Sequence, residues 1–176
     1  MNNLRQKNKV LIIGLGNIGL GYDFKDNCDD LVLSHTKSFA LNENFNLSGG
    51  VDLNKYNLKN FEEKYKIKSF IDIREAMISI KPDVVVISSP TNKHLENIKS
   101  VLDFGCPRII ICEKPLALDI TDSEKILKLC KSKNTKLFVN YFRRVLPGNL
   151  EILSLIKSNN IKTPFQGQCI YSKGLL

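Results

Sequence analysis

The sequence lacks tryptophan and has no long apolar run. Of its 176 residues, 43% are hydrophobic and 25% are charged, which is typical of a soluble globular protein. The longest apolar runs, such as 10–13 and 84–87, have the length of a strand, whereas a membrane-spanning helix needs about 20 apolar residues. The polar segment 1–9 contains no apolar stretch like that of a signal peptide. We therefore expect a cytoplasmic protein without a membrane span, large enough for one domain and part of a second.

Paired cysteine motifs are also missing. The five cysteines are an odd number, and no two of them form a CxxC pair. This pattern fits neither a disulfide framework nor a zinc site, and it indicates reduced thiols. Cys112 and Cys130 lie on apolar patterns and are predicted to fill the core rather than to act as nucleophiles. No metal site is predicted.

Negative charge is scarce relative to positive charge. The 26 Lys and Arg residues outnumber the 18 Asp and Glu residues, so the net charge is +8 and the pI is about 9.2. However, the lysines are spread along the chain, with no basic run and no interleaved aromatic residues. A nucleic-acid interface is therefore not expected. The positive balance suits an anionic nucleotide ligand instead.

Strand and helix patterns alternate along almost the whole chain. The strand patterns lie at 9–14, 45–52, 69–72, 83–90, 108–113 and 136–142. The helical patterns lie at 34–44, 53–66, 73–80, 91–105, 121–134 and 147–160. The strands are continuously apolar rather than alternating, which indicates a parallel sheet covered on both faces. We expect an α/β, doubly wound (Rossmann) domain over 1–146 and, at 147–176, a linking helix and the first strand of a second α+β domain.

Several helix ends are marked by capping residues. Ser34 and Asp72 are predicted N-caps, and Gly105 is predicted to end the helix at 91–105. Thr121 and Glu124 have the spacing of a capping box, which predicts a helix start at Thr121.

A glycine-rich loop, GLGNIG, follows the first strand at 14–19. Gly14 would allow the tight turn, Gly16 would let the backbone approach a pyrophosphate, and Gly19 would permit close packing. The backbone N–H groups of this loop, including those of Asn17 and Ile18, can bind phosphate oxygens. The motif alone is weak evidence, because a glycine-rich turn has the same composition. Its position between a buried strand and a second strand that ends in an acid strengthens it.

That acid is Asp52. A carboxylate there can accept hydrogen bonds from the adenosine ribose and would repel a 2′-phosphate, so NAD is favoured over NADP. The alternative role for Asp52 is an N-cap of the following helix. Its spacing is unusual, because it follows Gly19 by 33 residues instead of about 20. We interpret 20–33, which contains four aspartates, as an insertion that is either a lid near the phosphates or a surface loop.

Polar residues follow three of the other predicted strands, in segments 88–94, 113–115 and 140–144. In an open parallel sheet, ligands bind at the carboxyl ends of the strands. Lys114 could there donate or accept a proton while a hydride moves at a nicotinamide ring. Glu113 could hold the lysine or contact ribose, and Pro115 could follow a cis bond. The alternative is a surface ion pair between Glu113 and Lys114 in a turn.

Four segments resemble the Gfo/Idh/MocA family of oxidoreductases in order and approximate spacing. They are GLGNIG at 14–19, SPTNKH at 89–94, CEKPLALD at 112–119 and YFRRVLP at 141–147. The resemblance covers residues from about 9 to 150, and the EKPLA segment is its most specific part. It implies a Rossmann domain that binds NAD(P), followed by a larger substrate domain built on an open antiparallel sheet.

The resemblance also implies roles for individual residues. Lys114 matches the active-site lysine of the family, and Glu113 matches a glutamate beside the cofactor. Ser89, Pro90 and Thr91 match the segment that lines the nicotinamide side, with Thr91 in place of the usual asparagine.

Two further residues complete the implied set. His94 matches a histidine of the same segment, for which a structural role on its helix is an equal alternative, and Arg144 matches an arginine near the nicotinamide amide or the substrate. The catalytic residue is thus predicted to be Lys114. The predicted cofactor-binding residues are Gly14, Gly16, Asn17, Ile18, Gly19, Asp52, Ser88, Ser89, Pro90, Thr91, His94, Glu113, Lys114 and Arg144.

One part of the family pattern is missing. The substrate domain of the family carries an Asp-x-x-x-His type pair whose histidine does acid–base work beside the lysine, and nothing in the sequence matches it. The two histidines are His94 and His35, which lies in the first helical pattern.

Three interpretations therefore stay open. The chain is the cofactor domain of a truncated oxidoreductase, a complete nucleotide-binding or interaction module without catalysis, or another Rossmann class such as a methyltransferase that uses S-adenosylmethionine. Lys114 and Arg144 argue against the third. The apolar end GLL favours the first and would invite association, so a homo-oligomer is one expectation. For the intact enzyme we expect hydride transfer between NAD and a sugar-type alcohol, and a sugar nucleotide for polysaccharide biosynthesis is a further hypothesis.

Overall fold

The computed structural model describes residues 7–26, 28–158 and 168. Their strands form one six-stranded sheet in the order β3-β2-β1-β4-β5-β6, and neighbouring strands are parallel. The strands are β1 Asn8–Ile13, β2 Phe45–Val51, β3 Ser69–Phe70, β4 Val84–Ile87, β5 Ile109–Cys112 and β6 Lys136–Val139. The order reverses between β1 and β4, which is the topological switch point of a doubly wound fold. The predicted fold class is confirmed.

Five helices of the described residues lie on the two faces of the sheet. They are α1 His35–Leu41, α2 Lys55–Tyr65, α3 Ile73–Ile80, α4 His94–Phe104 and α5 Ile120–Ser132. A further helix, α6 Pro147–Lys157, follows along the chain. Three single 3₁₀ turns accompany them, at Gly21–Asp23, Thr91–Lys93 and Phe142–Val145. Among the described residues, no helix has both the length and the apolar character needed to cross a membrane.

The core consists of two apolar layers, because successive side chains of a strand point to opposite faces. On β1, Leu11 and Ile13 pack with residues of α3, α4 and α5. Val10 and Ile12 pack on the other face with Leu58 and Phe61 of α2. β4 is buried at every position, which explains why its sequence has no polar residue. Cys112 and Cys130 lie in the first of these layers, as predicted. The pKa of Cys112 is raised to about 12, mainly by burial and further by the nearby Glu113 carboxylate.

The chain divides into two compact units, residues 1–140 and 141–176. The sequence patterns predict the boundary between the two domains six residues later, between 146 and 147. The sheet belongs to the first unit, whereas the second contains the 3₁₀ turn Phe142–Val145 and α6. Pro147 is at the first position of α6, as expected. The strand predicted within 165–176 lies outside the described residues, apart from residue 168.

The predicted insertion interrupts the helix that follows the glycine loop. The N–H of His35 donates to the carbonyl of Ile18, and the N–H of Thr36 donates to that of Gly19, both at 3.0 Å. In an uninterrupted α-helix these carbonyls would accept from residues 22 and 23. A looped-out segment of 13 residues, 22–34, thus leaves the helix and returns to it. Without those 13 residues, Asp52 follows Gly19 by 20 residues, which is the usual spacing.

The looped-out segment is not uniformly a surface loop. Asp29 and Asp30 are exposed, but Asp23 is only 1% exposed and accepts hydrogen bonds from the N–H groups of Leu33 and Ser34. The surface-loop interpretation of this segment therefore does not hold for Asp23, because its buried carboxylate closes the base of the loop.

Most of the predicted helix caps are present, but one is wrong. Ser34 and Asp72 accept hydrogen bonds from the third residue of α1 and α3, and Gly105 follows the last residue of α4. Helix α5, however, begins at Ile120 and is capped by Asp119, whose side chain accepts from the N–H of Asp122 at 2.8 Å. Thr121 already lies in the first turn, so the capping box from Thr121 to Glu124 is not formed.

We predict that Asp119→Ala lowers the free energy of unfolding by about 1 kcal/mol, since the N-cap bond is lost. Thr121→Ala is the matched control, because Thr121 is an exposed helical residue and its change should stay within about 0.5 kcal/mol. Urea unfolding followed by circular dichroism measures both. A larger loss for Thr121→Ala than for Asp119→Ala would contradict this assignment of the cap.

Candidate functional site

Four segments of the first unit leave the sheet side by side at its carboxyl edge. The first residue after each strand still donates its N–H to the neighbouring strand. Gly14 bonds to Val51, Ser88 to Ile13, Glu113 to Ile87 and Asn140 to Cys112, all at 2.8–2.9 Å. This extension of the ladder brings the glycine loop and the predicted segments at 88 and 113 to one edge, around the switch point.

The glycine loop has the geometry that its three glycines predicted. Gly14 has φ +94°, and a Cβ there would lie 2.5 Å from the backbone nitrogen of Ser89. A Cβ at Gly19 would collide with the carbonyl oxygen of Gly14. Around Gly16, in contrast, nothing lies within 4 Å of the place that a Cβ would take. The loop is therefore closed toward the protein and open at Gly16, where a pyrophosphate could approach the backbone.

Asp52 lies directly beside this loop. Its Oδ2 accepts from the N–H of Leu15 at 2.7 Å and from the side-chain amide of Asn57 at 3.2 Å, and its Oδ1 accepts from the N–H of Asn54 at 2.8 Å. The N-cap of α2 is Asn54, whose side chain accepts from the N–H of Tyr56. The capping alternative for Asp52 is therefore wrong. Its half-buried carboxylate is tied to the glycine loop through Leu15.

The two serines after β4 brace the site. Ser88 is 6% exposed and donates its hydroxyl to the carbonyl of Gly14 at 2.7 Å. The Ser89 hydroxyl accepts from the side-chain amide of Asn97 at 2.8 Å. Ser88 thus fixes the glycine loop to β4, while Pro90 is exposed and Thr91 half-buried at the start of a 3₁₀ turn.

His94 has the geometry of a structural residue, one of the two roles that the sequence left open. It is 1% exposed. Its Nε2 lies 2.9 Å from the carbonyl oxygen of Ser89, and its Nδ1 lies 3.1 Å from that of Leu116. Both partners are acceptors, so a neutral ring can donate to only one of them at a time. The ring ties the segment after β4 to the segment after β5 from the inside.

Glu113 is held by two residues that the sequence analysis did not assign to the site. Its Oε1 accepts from Nε2 of His35 at 2.9 Å and from the side-chain amide of Asn140 at 2.6 Å. Its Oε2 accepts from the N–H of Lys114 at 3.2 Å. His35 could have been found in the sequence only by removing the looped-out segment, which places it one helical turn after Ile18. Asn140 could have been found as the first polar residue after β6.

The charge of Glu113 is stabilised in this position. Burial by itself raises the pKa of the carboxyl. The hydrogen bonds from His35 and Asn140, the charge of His35 and the N–H of Lys114 together outweigh burial, so that the pKa lies below its ordinary value of 4.5. Glu113 is therefore a carboxylate at neutral pH.

Lys114 has an exposed side chain beside this carboxylate. The peptide bond to Pro115 is cis. Among the described residues, the ion partner of Glu113 is His35, and Lys114 takes part in no ion pair. The simple Glu113–Lys114 surface pair, which was the alternative for this turn, is therefore not formed.

Arg144 lies in the second unit, in the 3₁₀ turn Phe142–Val145. Its N–H donates to the carbonyl of Tyr141 at 2.9 Å. Within the glycine loop, Asn17 is exposed and Ile18 is half-buried. In the part of the chain that the structure describes, no cluster of three or more His, Cys, Asp or Glu side chains could hold a metal ion.

The sheet order, the glycine loop and the acid after β2 define a dinucleotide-binding Rossmann domain. Residues 8–141 match the model of the family described as "Oxidoreductase family, NAD-binding Rossmann fold" (Gfo/Idh/MocA). The chain belongs to this family, and the resemblance found in the sequence is confirmed.

The relatives include dehydrogenases of inositols. The chain is 34% identical over 91 residues to the inositol 2-dehydrogenase of Rhizobium meliloti. The aligned region covers 52% of this chain and 26% of the relative. The chain is 24% identical over 160 residues to the myo-inositol 2-dehydrogenase of Thermotoga maritima, covering 89% of this chain and 42% of the relative. The chain thus spans less than half the length of these relatives.

Solved structures show the same fold. The apo scyllo-inositol dehydrogenase from Lactobacillus casei superposes with a TM-score of 0.74 at 22% identity, over 89% of this chain and 43% of that one. The same enzyme with bound NAD(H) and scyllo-inositol superposes with a TM-score of 0.70 at 21% identity, over 89% of this chain and 43% of that one.

We predict that the contribution of Glu113 to stability depends on pH. A carboxyl with a lowered pKa stabilises the folded state above its unfolded pKa, and this contribution is lost as the pH falls through its folded pKa. The difference in unfolding free energy between the parent and Glu113→Gln should therefore be constant near neutral pH and shrink below about pH 4.5, the ordinary value. Urea unfolding of both proteins at several pH values measures it. A difference that does not change between pH 7 and acid would contradict the charged Glu113.

Proposed function

We propose that the chain is the cofactor-binding part of an NAD-dependent oxidoreductase that transfers a hydride to or from a secondary alcohol of a polyol or sugar. The observation that supports this most directly is the meeting of three features at one sheet edge. The glycine loop is open at Gly16, Asp52 lies against that loop, and the charged Glu113 lies one strand away from Ser88 with Lys114 beside it. A non-catalytic nucleotide-binding or interaction module is the second candidate.

The described residues fit a dinucleotide. The N–H groups of Asn17 and Ile18 can bind phosphate oxygens at the start of a helical turn, where the helix dipole also favours negative charge. Asp52 would accept from the ribose hydroxyls and would repel a 2′-phosphate, so NADP is the less favoured cofactor. The hydrogen bonds of Ser88, Ser89 and His94 support this site from inside the protein. The contacts proposed for the nicotinamide side of the cofactor are Pro90, Thr91 and Arg144.

The proposed chemistry assigns the proton to Lys114. A bound nicotinamide would supply the hydride acceptor for oxidation and the hydride donor for reduction. Nζ of Lys114, as the neutral amine, takes the proton of the substrate hydroxyl during oxidation, and as the ammonium it returns that proton during reduction. Glu113 keeps a negative charge beside this lysine. Because Glu113 is bonded to His35 and Asn140 rather than to Nζ, the lysine side chain stays available to a substrate.

The substrate class is proposed from the relatives, among which are dehydrogenases of myo- and scyllo-inositol. A polyol or free sugar is therefore favoured, and a sugar nucleotide for polysaccharide biosynthesis is kept as a variant of the same chemistry. We further propose that the protein acts in the cytoplasm and as a homo-oligomer.

We predict that Asp52→Asn weakens NADH binding by roughly ten- to a hundredfold and NADPH binding by less, because hydrogen bonds to a charged acceptor are lost together with the repulsion of the 2′-phosphate. Titrations followed by nicotinamide fluorescence measure both affinities. Asp103→Asn is the control, since Asp103 is an exposed residue of α4. An unchanged NADH-to-NADPH ratio would refute the role of Asp52. Failure of the folded parent to bind either nucleotide would refute the cofactor site.

We predict that Lys114→Ala leaves NADH affinity within about twofold and lowers kcat by about 10²–10⁴, the usual contribution of a positioned acid–base group. Turnover needs the proposed substrate domain as well as the cofactor domain. It is therefore assayed in a longer protein that contains this chain followed by that domain, with inositols and sugars as substrates. Lys99→Ala, at an exposed position of α4, should keep its turnover. Turnover by Lys114→Ala at the parent rate would rule out this assignment. If the longer protein with both domains binds NADH but turns over none of these alcohols, the non-catalytic module is favoured.

A further inference from the structure

The looped-out segment 22–34 begins and ends next to residues of the candidate site. Its last residue, Ser34, directly precedes His35, and His35 is the residue that donates to Glu113. The segment lies between the glycine loop and the helix that carries this histidine. The contact that closes the loop therefore holds the residue directly before His35, while the N–H groups of His35 and Thr36 bond to Ile18 and Gly19.

The closing contact is made by Asp23. Oδ2 accepts from the N–H of Leu33 at 2.7 Å and from the N–H of Ser34 at 2.9 Å, and Oδ1 accepts from the Ser34 hydroxyl. The carboxylate is 1% exposed. Burial raises its pKa, but the Ser34 hydroxyl, the two N–H groups and Lys37 together lower it below the ordinary value of 3.8. One charged side chain thus joins the beginning of the looped-out segment to its end.

The contact at Ser34 then sets the start of α1. The Ser34 hydroxyl accepts from the N–H of Lys37 at 3.3 Å, which makes Ser34 the N-cap. From there the N–H of His35 bonds to Ile18 and that of Thr36 bonds to Gly19. His35 is thereby held in the place that residue 22 would have in a continuous helix, with its Nε2 2.9 Å from Glu113.

We propose that Asp23 is a positioning residue of the candidate site, which acts through Ser34 and His35 to hold the Glu113 carboxylate in place beside Lys114. This inference rests on the proposed function only in assuming that Glu113 and Lys114 serve the cofactor and substrate. The chain of contacts itself, Asp23 to Ser34, Ser34 to His35 and His35 to Glu113, is independent of any ligand.

Other contacts hold the segment without determining the position of His35. Nζ of Lys64 on α2 donates to the carbonyls of Asp23 at 3.2 Å and Asp26 at 3.3 Å, and also to that of Phe24. Nζ of Lys37 donates to the carbonyl of Cys28. These lysines bind the middle of the segment to α2 and α1, whereas only Asp23 among these groups bonds to Ser34 at its end.

A consequence is that Asp23 is needed only while the segment is present. If residues 22–34 are deleted and Gly21 is joined to His35, the helix can continue without interruption and His35 keeps its place. The effect of losing Asp23 should therefore be absent from the shortened chain.

Histidine ring NMR tests this directly, because the chain has two histidines and His94 is an internal control bonded to other groups. In ¹⁵N-histidine-labelled protein we expect an exchange-protected Nε2–H signal of His35, assigned by its loss in His35→Gln and in Glu113→Ala. Asp23→Asn should abolish or strongly broaden this signal and leave that of His94 in place. Asp29→Asn, at an exposed acid of the same segment, should change neither. The 22–34 deletion should show the protected His35 signal again.

Each outcome decides the proposal. It is overturned if the parent has no protected His35 signal, if Asp23→Asn leaves that signal intact, or if Asp23→Asn alters His35 and His94 alike. Should Asp23→Asn fail to fold, Ser34→Ala replaces it and should weaken the His35 signal alone. NADH titration of the same variants is read separately. If the histidine signals change as expected but the parent protein binds no NADH, the positioning role of Asp23 is supported and the proposed function is refuted.

Discussion

The close packing of Gly14 against the segment after β4, and of Gly19 against Gly14, is the constraint on which the site depends. Gly14 turns at positive φ against the backbone of Ser88 and Ser89, and Gly19 fits only because it has no Cβ. The Ser88 hydroxyl bonds to the carbonyl that Gly19 packs against. A side chain at either glycine would separate the loop from β4, and Asp52, which bonds to Leu15, would lose its place beside the loop.

The polar residues at the carboxyl edge divide into two groups by burial. Ser88 and His94 are buried and bond to backbone carbonyls, so they join neighbouring segments from inside. Asp52 is half-buried and Lys114 is exposed, so a ligand could reach both. Glu113 connects the groups, because its carboxylate is held from within by His35 and Asn140 while its backbone leads to Lys114. The proposed chemistry would thus rest on few side chains that neighbouring hydrogen bonds hold in place, as in a preorganised site.

The looped-out segment shows how a helix next to a phosphate loop can accept 13 additional residues. The helical hydrogen bonds resume at the register they would have had, because the buried Asp23 carboxylate brings the two ends of the segment together. Loop closure of this length costs little conformational entropy beyond that of a shorter loop. The segment therefore leaves the helical register between the glycine loop and α1 unchanged, and with it the effective spacing from Gly19 to Asp52.

The sequence by itself determined the fold class, the glycine loop and the candidate acids, because continuous apolar strands, helical periodicity and glycine spacing are local patterns that reflect burial on both faces of a sheet. It also located Lys114 at a strand end. It misplaced the start of α5, since Asp119 and Thr121 both have side chains that can cap. Only the tertiary structure decided which polar side chains meet. Asp23, His35, Glu113 and Asn140 are distant along the chain, and their bonds depend on strand order and on how a loop closes, which no local pattern contains.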